Sequence, residues 1–320
     1  MSLHVFGSIL TGYGVAANNR GETEGNITTL QKLLWKDEVH TTVSAEAIRW
    51  AIRYYWQQQG REVNRKWDDD KEDHQWQDPS WKAWAGSSSD GKIYIDDDVL
   101  GFMKTEAAKS EGEEEGKEQA EEEGEKEKKK GKSRPKGKVD KRRGVLEIAR
   151  AISLTPFAGD ITFNARSGEK DRTSLYGTEC HATRYQYGFA MTPARLRNQQ
   201  HAVAVLDAIV NLGEVAGNHS RFLFDFSPDY IILRITQDPA PRILYCFEQD
   251  ERRNIGIPSL LERLKNGDID ASELYVGGSL SDSTQKIKAF SGSNTYDGVK
   301  QAVEACKKKL SSLLPGGTAP

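Results

Sequence analysis

A forty-residue stretch near the middle of the chain, residues 104–143, is the feature that most constrains the fold. It holds 14 basic and 12 acidic residues, with most acids before most bases, and almost no apolar side chains. Such a segment cannot bury enough surface to offset the entropy lost on ordering. We therefore predict a flexible acidic–basic surface loop over residues 104–143. The alternative is a basic arm that settles on a phosphate backbone.

The rest of the 320-residue chain carries enough apolar side chains to build a core, since 37% of all residues are hydrophobic. The formal net charge of −3 does not indicate a nucleic-acid-binding protein. No apolar stretch approaches the roughly 20 residues that a membrane helix needs, and the first residues lack the features of a secretory signal. Three widely separated cysteines exclude a disulfide framework. We therefore predict a cytoplasmic protein without a membrane partner.

Tryptophan is distributed unevenly along the chain. All seven tryptophans lie in the first 84 residues, and four of them fall in the polar, Asp-rich stretch from Trp67 to Trp84. Tryptophan buries a large area and often anchors an interface. We predict that residues 61–91 form an insertion. Two alternatives stay open: it packs on its own body, or it docks on a neighbouring subunit.

Hydrophobic periodicity predicts an alternation of strands and helices outside these two segments. Ser44 is typical of a helix N-cap, and Gly60 of a helix stop. The predicted order is that of a split βαβ, ferredoxin-like (RRM-like) α+β body, forming one domain over residues 1–320 with insertions. The predicted elements are strands Leu3–Thr11, Lys92–Ile95, Ala182–Ala190, Arg221–Phe226 and Tyr230–Ile235, an ambiguous strand or helix Val145–Leu154, a polar loop or hairpin Asp160–Thr178, a strand Glu273–Val276, and helices Ser44–Gln59, Thr192–Leu212, Pro258–Leu264 and Tyr296–Leu313.

The sequence offers few signs of catalysis. No two histidines stand four residues apart on a helix, and no nucleophile elbow or phosphate P-loop is present. The acidic runs Asp68–Asp70 and Asp96–Asp98 favour solvated turns over a cation site, so we predict no cofactor and no metal. A ribonuclease that uses His40 as general base is the enzymatic alternative.

Three stretches together resemble a known family. They are the strand Leu3–Leu10, the loop from Asn18 to Asn26, and the helix start from Val43 to Arg53, in which Ser44, Arg49 and Arg53 match the family pattern while Glu46 and Gly21 depart from it. They are similar to the DevR-type backbone subunit of type I CRISPR surveillance complexes (Cascade). The likeness continues from Arg143 into the helix at Thr192, and it is weak in the Trp-rich segment, in the charged tract and after Arg242.

The resemblance implies a function without bond cleavage. Several copies would line up along one guide RNA (crRNA), beside other Cascade subunits, and present it for pairing with target DNA, so that only shape and charge need recognition. A thumb-like hairpin over residues 157–181 would push between nucleotides. The resemblance implies RNA contacts at Asn19, Arg20, Asn26, Ser44, Arg49, Arg53, Phe163, Arg166, Tyr176, Arg184, Gly277 and Gly278.

Physical chemistry fits several of these assignments. Arg49 and Arg53 lie one helical turn apart and are expected to follow successive phosphates, next to the helix N-terminus that Ser44 caps. Phe163 and Tyr176 are expected to stack against bases. Two alternatives remain: an RNA-cleaving relative that uses Asp160 or Asp171, and a DNA-binding autoregulator.

Overall fold

The computed structural model describes residues 2–17, 19–86, 92–105, 139–165, 175–217 and 220–314. The helices in these ranges are α1 (Ala45–Gln58), α2 (Lys82–Ala85), α3 (Ile95–Val99), α4 (His201–Val210), α5 (Pro258–Lys265), α6 (Ser281–Lys288) and α7 (Val299–Leu313). The strands are β1 (His4–Thr11), β2 (Gly14–Ala16), β3 (Asn19–Glu24), β4 (Ile27–Leu30), β5 (Lys32–Trp35), β6 (Glu38–Val43), β7 (Arg65–Asp68), β8 (Asp73–Trp76), β9 (Gly101–Thr105), β10 (Val139–Arg143), β11 (Leu146–Ile148), β12 (Ala151–Ser153), β13 (Asp160–Ala165), β14 (Leu175–Thr183), β15 (Tyr185–Met191), β16 (Pro228–Thr236), β17 (Glu248–Gln249), β18 (Ile255–Gly256), β19 (Leu274–Gly278) and β20 (Asn294–Tyr296).

The main sheet has the order β20-β19-β16-β1-β15-β12-β6-β5, and β11 also pairs with β15. At its centre β1 runs antiparallel to both β15 and β16. Along the chain, helix α1 lies between β1 and the strands β11 and β12, and helix α4 lies between β15 and β16. These elements follow one another as β-α-β-β-α-β, with β1 between the two strands that α4 joins. The predicted α+β class is confirmed.

Helices cover both faces of the main sheet. On one face α1, α4 and α7 pack over inward side chains such as Val5 and Ile9. On the other face α5 and α6 pack over Phe6 and Leu10, the alternate residues of the same strand. Side chains of a strand alternate between faces, so burial of all residues of β1 after His4 shows that the strand is covered on both sides. Within the described residues, no helix is long and apolar enough to cross a membrane.

A second sheet lies outside this sandwich. Its order is β13-β14-β4-β3, and β2 pairs with the far end of β14. The pairing of β14 with β4 is parallel, whereas β13 with β14 and β3 with β4 form antiparallel hairpins. Two segments that are far apart in sequence therefore share one sheet.

The Trp-rich segment packs on the chain's own body. Trp67 meets Trp50 of α1 edge to face, with 5.6 Å between ring centroids. Trp81 lies against Phe102 of β9, with 3.9 Å between ring centroids. Of the two alternatives left open for residues 61–91, these contacts support packing on the chain itself.

Several predicted elements differ in the structure. The predicted loop before Asn26 contains strand β3, the predicted strand Lys92–Ile95 gives way to helix α3, and Arg221–Phe226 is not a strand. The predicted helix Thr192–Leu212 is broken into a 3-10 turn, Pro193–Arg195, and α4. Asp98 explains this break, because its carboxylate accepts the backbone N–H groups of Arg197 at 2.9 Å and Asn198 at 3.1 Å.

The two ends of the charged tract are strands rather than loop. Strands β9 and β10 pair antiparallel from Thr105 with Val139 to Gly101 with Arg143. Arg142 donates to the carboxylate of Asp98 at 2.9 Å, so its side chain belongs to the folded body. Residues 106–138, which make up most of the predicted flexible loop, lie outside the described residues.

Candidate nucleic-acid interface

The second sheet joins two of the segments that the sequence analysis assigned to RNA. The turn between β3 and β4 carries Asn26, whose carbonyl accepts the N–H of Gly177 in β14 at 2.8 Å. Gly177 in turn lies opposite Phe163 in the β13–β14 hairpin. A Cβ on Gly177 would lie 3.0 Å from Ile27 and 3.1 Å from Ile161, so glycine lets the strands approach here. The sheet therefore holds Asn26, Phe163 and Tyr176 together, along with the backbone of Asn19 and Arg20.

This sheet and the segment beside it expose an unusual amount of apolar surface. Among the described residues, six of the eleven exposed large apolar side chains lie here, including Phe163 at 75% and Leu223 at 74% exposure. The six are Tyr13, Val15, Ile161, Phe163, Leu175 and Leu223. Single exposed apolar residues are ordinary, but a cluster of them marks a binding surface. We call this set the exposed apolar cluster.

An arginine that the sequence analysis did not select lies at the same place. Arg221 donates to the hydroxyl of Tyr176 at 2.9 Å, and its guanidinium lies 5.2 Å from the centre of that ring. The Phe224 ring packs over Gly14 of β2, where an added Cβ would lie 3.1 Å from it, and this contact holds the segment against the sheet. The apolar and aromatic residues after Arg221 are the sequence signal for this site, but their pattern predicts a strand.

Arg184 binds within the protein at the junction of β14 and β15. Its guanidinium donates to the carbonyl of Thr11 at 2.9 Å and pairs with the carboxylate of Asp229. Ser279 donates to the same carboxylate at 2.7 Å. Arg184 keeps an exposed portion beside the second sheet, and its charge is balanced by Asp229.

Arg49 and Arg53 have partners within the protein, so the structure gives no support to the phosphate contacts predicted for them. Arg49 donates to the carbonyl of Leu146 at 3.1 Å and to that of Leu100. Arg53 is buried, and its Nε lies 3.2 Å from the Asp96 carboxylate. Burial lowers the pKa of both guanidinium groups. Both side chains join α1 to the neighbouring elements.

Ser44 acts as a helix cap, as its position predicts. Its Oγ accepts the N–H of Ala47 at 3.2 Å. That contact satisfies one of the free amide groups at the helix N-terminus. The Ser44 hydroxyl that the resemblance assigned to RNA therefore already has a partner in the helix.

Packing accounts for Gly277 and Gly278 in β19. A Cβ on Gly277 would lie 2.5 Å from the carbonyl oxygen of Gly298 and 2.9 Å from the Ala302 side chain. Gly278 has a φ of +125° and approaches the Asp229 carbonyl too closely for a side chain. These two glycines let β19 pack against α7 and β16, so no RNA contact is needed to explain them.

The histidine proposed for catalysis, His40, lies in a buried network that also includes His181. The Nδ1 of His40 is 2.7 Å from the Ser153 carbonyl, and His40 is 5% exposed. His181 lies 2.8 Å from the Thr41 hydroxyl, and burial lowers the pKa of His181 to about 4. A general base needs access to the proton that it removes, so this geometry does not support His40 as a nuclease base.

The acidic runs have internal partners. Asp96, Asp97 and Asp98 are all buried, whereas the sequence analysis favoured a solvated turn. Within the described ranges, no group of three acidic, histidine or cysteine side chains is arranged to hold a metal. Asp160 lies exposed at the start of β13, while Arg166 and Asp171 fall outside the described residues.

The fold and the site together define an α+β protein whose main sheet packs between helices and whose second sheet carries exposed apolar side chains. No family model matches the chain. A protein of Myxococcus xanthus (strain DK1622), described as CRISPR-associated protein Cas7/Cst2/DevR, is 46% identical over 321 residues, covering 97% of this chain and 98% of that protein. The chain belongs to the Cas7/Cst2/DevR family of CRISPR-associated proteins.

A solved structure agrees with this fold. A chain of a CRISPR RNA-guided surveillance complex, pre-nicking, aligns with a TM-score of 0.56 and 11% identity, covering 96% of this chain and 100% of that chain. A chain of another CRISPR RNA-guided surveillance complex aligns over 97% of this chain with 13% identity and a TM-score of 0.49, which is too low to support the fold.

Proposed function

We propose that this protein is the guide-RNA-binding backbone subunit of a type I CRISPR surveillance complex (Cascade). Copies of the chain line up along one guide RNA and present it for pairing with target DNA, next to other Cascade subunits. The chain breaks no bond in this role. Membership of the Cas7/Cst2/DevR family supports the proposal.

The β-α-β-β-α-β part of the main sheet is, in this proposal, the RRM-like palm. RNA cannot lie on the central strands of this sheet, because α5 and α6 cover one face and α1, α4 and α7 cover the other. The common RRM mode, in which aromatic side chains of the sheet stack on bases, is therefore closed in this chain. The guide has to follow the rim of the main sheet and the second sheet.

The single observation that carries the proposal is the exposed apolar cluster on the second sheet. Its residue Phe163 extends from the β13–β14 hairpin, which we assign as the thumb over residues 157–181. An exposed phenylalanine stacks on any base, which suits a protein that holds guides of different sequence. Arg221, packed on Tyr176, brings a cation to the loop end of this hairpin for the sugar-phosphate backbone.

A substitution at the thumb tests the proposal. Phe163→Ala removes an exposed ring, so thermal stability should stay unchanged while binding of a guide RNA weakens roughly 5- to 100-fold, the cost of one lost base stack. The matched control is Leu313→Ala, which truncates an exposed apolar side chain at the end of α7. Affinity is measured by filter binding of labelled guide.

Assembly and the absence of cleavage are measured in parallel. Wild-type protein co-expressed with a guide should form rows of copies in electron micrographs, and labelled guide and target should stay intact with or without Mg²⁺. Equal guide affinity of the Phe163→Ala and wild-type proteins would remove the thumb from the interface. Specific cleavage products would favour the enzymatic alternative.

A further inference from the structure

The Trp-rich segment ends in a continuous row of aromatic and guanidinium groups that the proposed guide site does not use. Neighbouring groups in this row are 3.4–5.6 Å apart between ring centroids, or between a guanidinium carbon and a ring centroid. We call it the Trp–Arg ladder. It runs in order through Arg65, Trp76, Trp81, Phe102 and Trp84, and both Arg142 and Arg197 pack on Trp84 at its end.

The ladder is partly open to solvent at both ends. Trp76 is 40% exposed although tryptophan is usually well buried. Arg197 at the other end is exposed, and its guanidinium carbon lies 3.4 Å from the centre of the Trp84 ring. Met103, next to Phe102, is 64% exposed. A segment whose only role was to fill space would not leave these groups at the surface.

The charge of the ladder is only partly balanced. Arg142 pairs with Asp98 at 2.9 Å. Neither Arg65 nor Arg197 has a carboxylate within salt-bridge distance in the part of the chain that the structure describes. A guanidinium that stacks on an indole keeps its in-plane N–H groups available, and the stacking fixes their direction. Arg197 also donates one N–H to the carbonyl of Trp84, which fixes the guanidinium on the ring and leaves its other N–H groups for an anion that the ladder itself does not supply.

Arginine and tryptophan in alternation suit one kind of ligand. Aromatic rings stack on bases of any sequence, and arginines beside them neutralise the phosphates between those bases. Bases within a duplex are already stacked on each other, so the ladder favours an unpaired strand. An acidic protein would satisfy the arginines alone and would leave the exposed Trp76 ring without a role.

We propose that the Trp–Arg ladder is a second nucleic-acid-binding surface, which holds an unpaired DNA or RNA strand by stacking a base on Trp76 and pairing Arg197 with phosphate. This surface is separate from the proposed guide site. A test of the ladder is therefore independent of whether residues 157–181 form the thumb.

Two substitutions give different signatures in one titration. Binding of labelled oligo(dT) and oligo(U) is measured by fluorescence anisotropy over a range of salt concentrations. Trp76→Ala should weaken binding roughly 5- to 100-fold without changing the salt dependence, because stacking carries no charge. Arg197→Gln should lower the slope of log affinity against log salt by about 0.7, the value for one phosphate contact on a single strand.

Matched controls separate the ladder from the rest of the surface. Arg252→Gln removes an exposed charge from the β17–β18 turn, and Leu34→Ala truncates an exposed apolar side chain of β5; neither should change binding. Trp76→Phe keeps an aromatic ring and should restore most of the affinity, which distinguishes stacking from misfolding. The two oligonucleotides show whether the strand is DNA, RNA or either.

The same change is then repeated in the Phe163→Ala background. If the two surfaces are separate, the loss caused by Trp76→Ala persists in the Phe163→Ala background, where the proposed guide site competes less for the oligonucleotide. Unchanged affinity of the Trp76→Ala and Arg197→Gln proteins would overturn the proposal. So would a wild-type protein that binds neither oligonucleotide, or a Trp76→Ala loss that disappears when Phe163 is absent.

Discussion

Asp97 in α3 makes the stability of this protein depend on pH. Burial raises the pKa of Asp97 to about 7, and the neighbouring Asp96 adds to the rise. Three groups oppose it: the side-chain amide of Asn64, which donates to Asp97 at 2.9 Å, and the cations of Arg65 and Arg53. Asp97→Asn keeps the shape of the side chain and removes the charge that burial disfavours.

The sign and size of the effect come from the two pKa values. An unfolded aspartate has a pKa of about 3.9, so the folded state binds the proton more tightly. The wild-type protein therefore loses stability as the pH rises from about 4 to about 7. A shift of about three units corresponds to at most about 4 kcal/mol, so we expect Asp97→Asn to raise the free energy of unfolding by about 2–4 kcal/mol at pH 8. At pH 4 the two proteins should be nearly equal.

Urea denaturation at a series of pH values measures this difference. Thermal unfolding should show the same trend, with a rise of about 4–8 °C for Asp97→Asn at pH 8. Asp70→Asn, which removes an exposed charge in the turn between β7 and β8, is the matched control and should change little. The reasoning is refuted if the stability difference between Asp97→Asn and wild type is the same at pH 4 and pH 8, since a titrating Asp97 requires that difference to vary.

Two further predictions concern residues that were predicted to contact RNA and whose positions are explained by contacts within the protein. Arg53→Ala leaves Asp96 buried without its cation and should lower the free energy of unfolding in urea by about 3–5 kcal/mol. The salt dependence of guide binding should stay as in wild type. A shallower salt dependence would show that Arg53 contacts phosphate. Gly278→Ala places a side chain at a φ of +125° and should lower the free energy of unfolding by at least about 1–3 kcal/mol. Gly12→Ala, whose new Cβ would meet no atom within 4 Å, is its control, and equal melting temperatures of the two variants would contradict the strain argument.

Local signals predicted much of the main sheet and its helices. The Ser44 cap and the apolar stripe behind it place α1 correctly, from Ala45 to Gln58. Strand β15 buries Tyr185, Tyr187 and Phe189 on one face, as their alternation predicts. These features depend only on residues close in sequence, so periodicity and capping are sufficient to find them.

Long-range pairing was beyond the reach of the sequence. Nothing in the stretch around Asn26 indicates that its strand β4 pairs in parallel with β14, about 150 residues further along the chain. The predicted loop and the predicted thumb hairpin were therefore two separate features until the sheet joined them. The exposed apolar cluster on this sheet could not be predicted, because exposure depends on which strands pair.

Charged residues were the least predictable part of the site. Arg49 and Arg53 have the spacing expected of a phosphate-binding pair, yet spacing along a helix does not determine which face the body covers. The partners that draw them inward, Leu100 and Asp96, lie more than 40 residues away in α3 and its flank. The three aspartates of α3 follow the same rule: the sequence shows a polar run, and only the fold reveals the arginines around it.

The packing of helices on the main sheet also explains how a chain with a net charge of −3 can bind a polyanion. A protein that spreads nucleic acid over a broad open face needs that face to be basic. Here helices close both faces at the central strands, which leaves narrower surfaces for a nucleic-acid strand: the second sheet with Arg221 beside Tyr176, and the ladder that ends at Arg197. On such surfaces a few guanidinium groups packed against aromatic rings are enough for binding, because stacking of bases on the rings supplies the part of the affinity that charge does not. The acidic residues elsewhere then carry no penalty for binding.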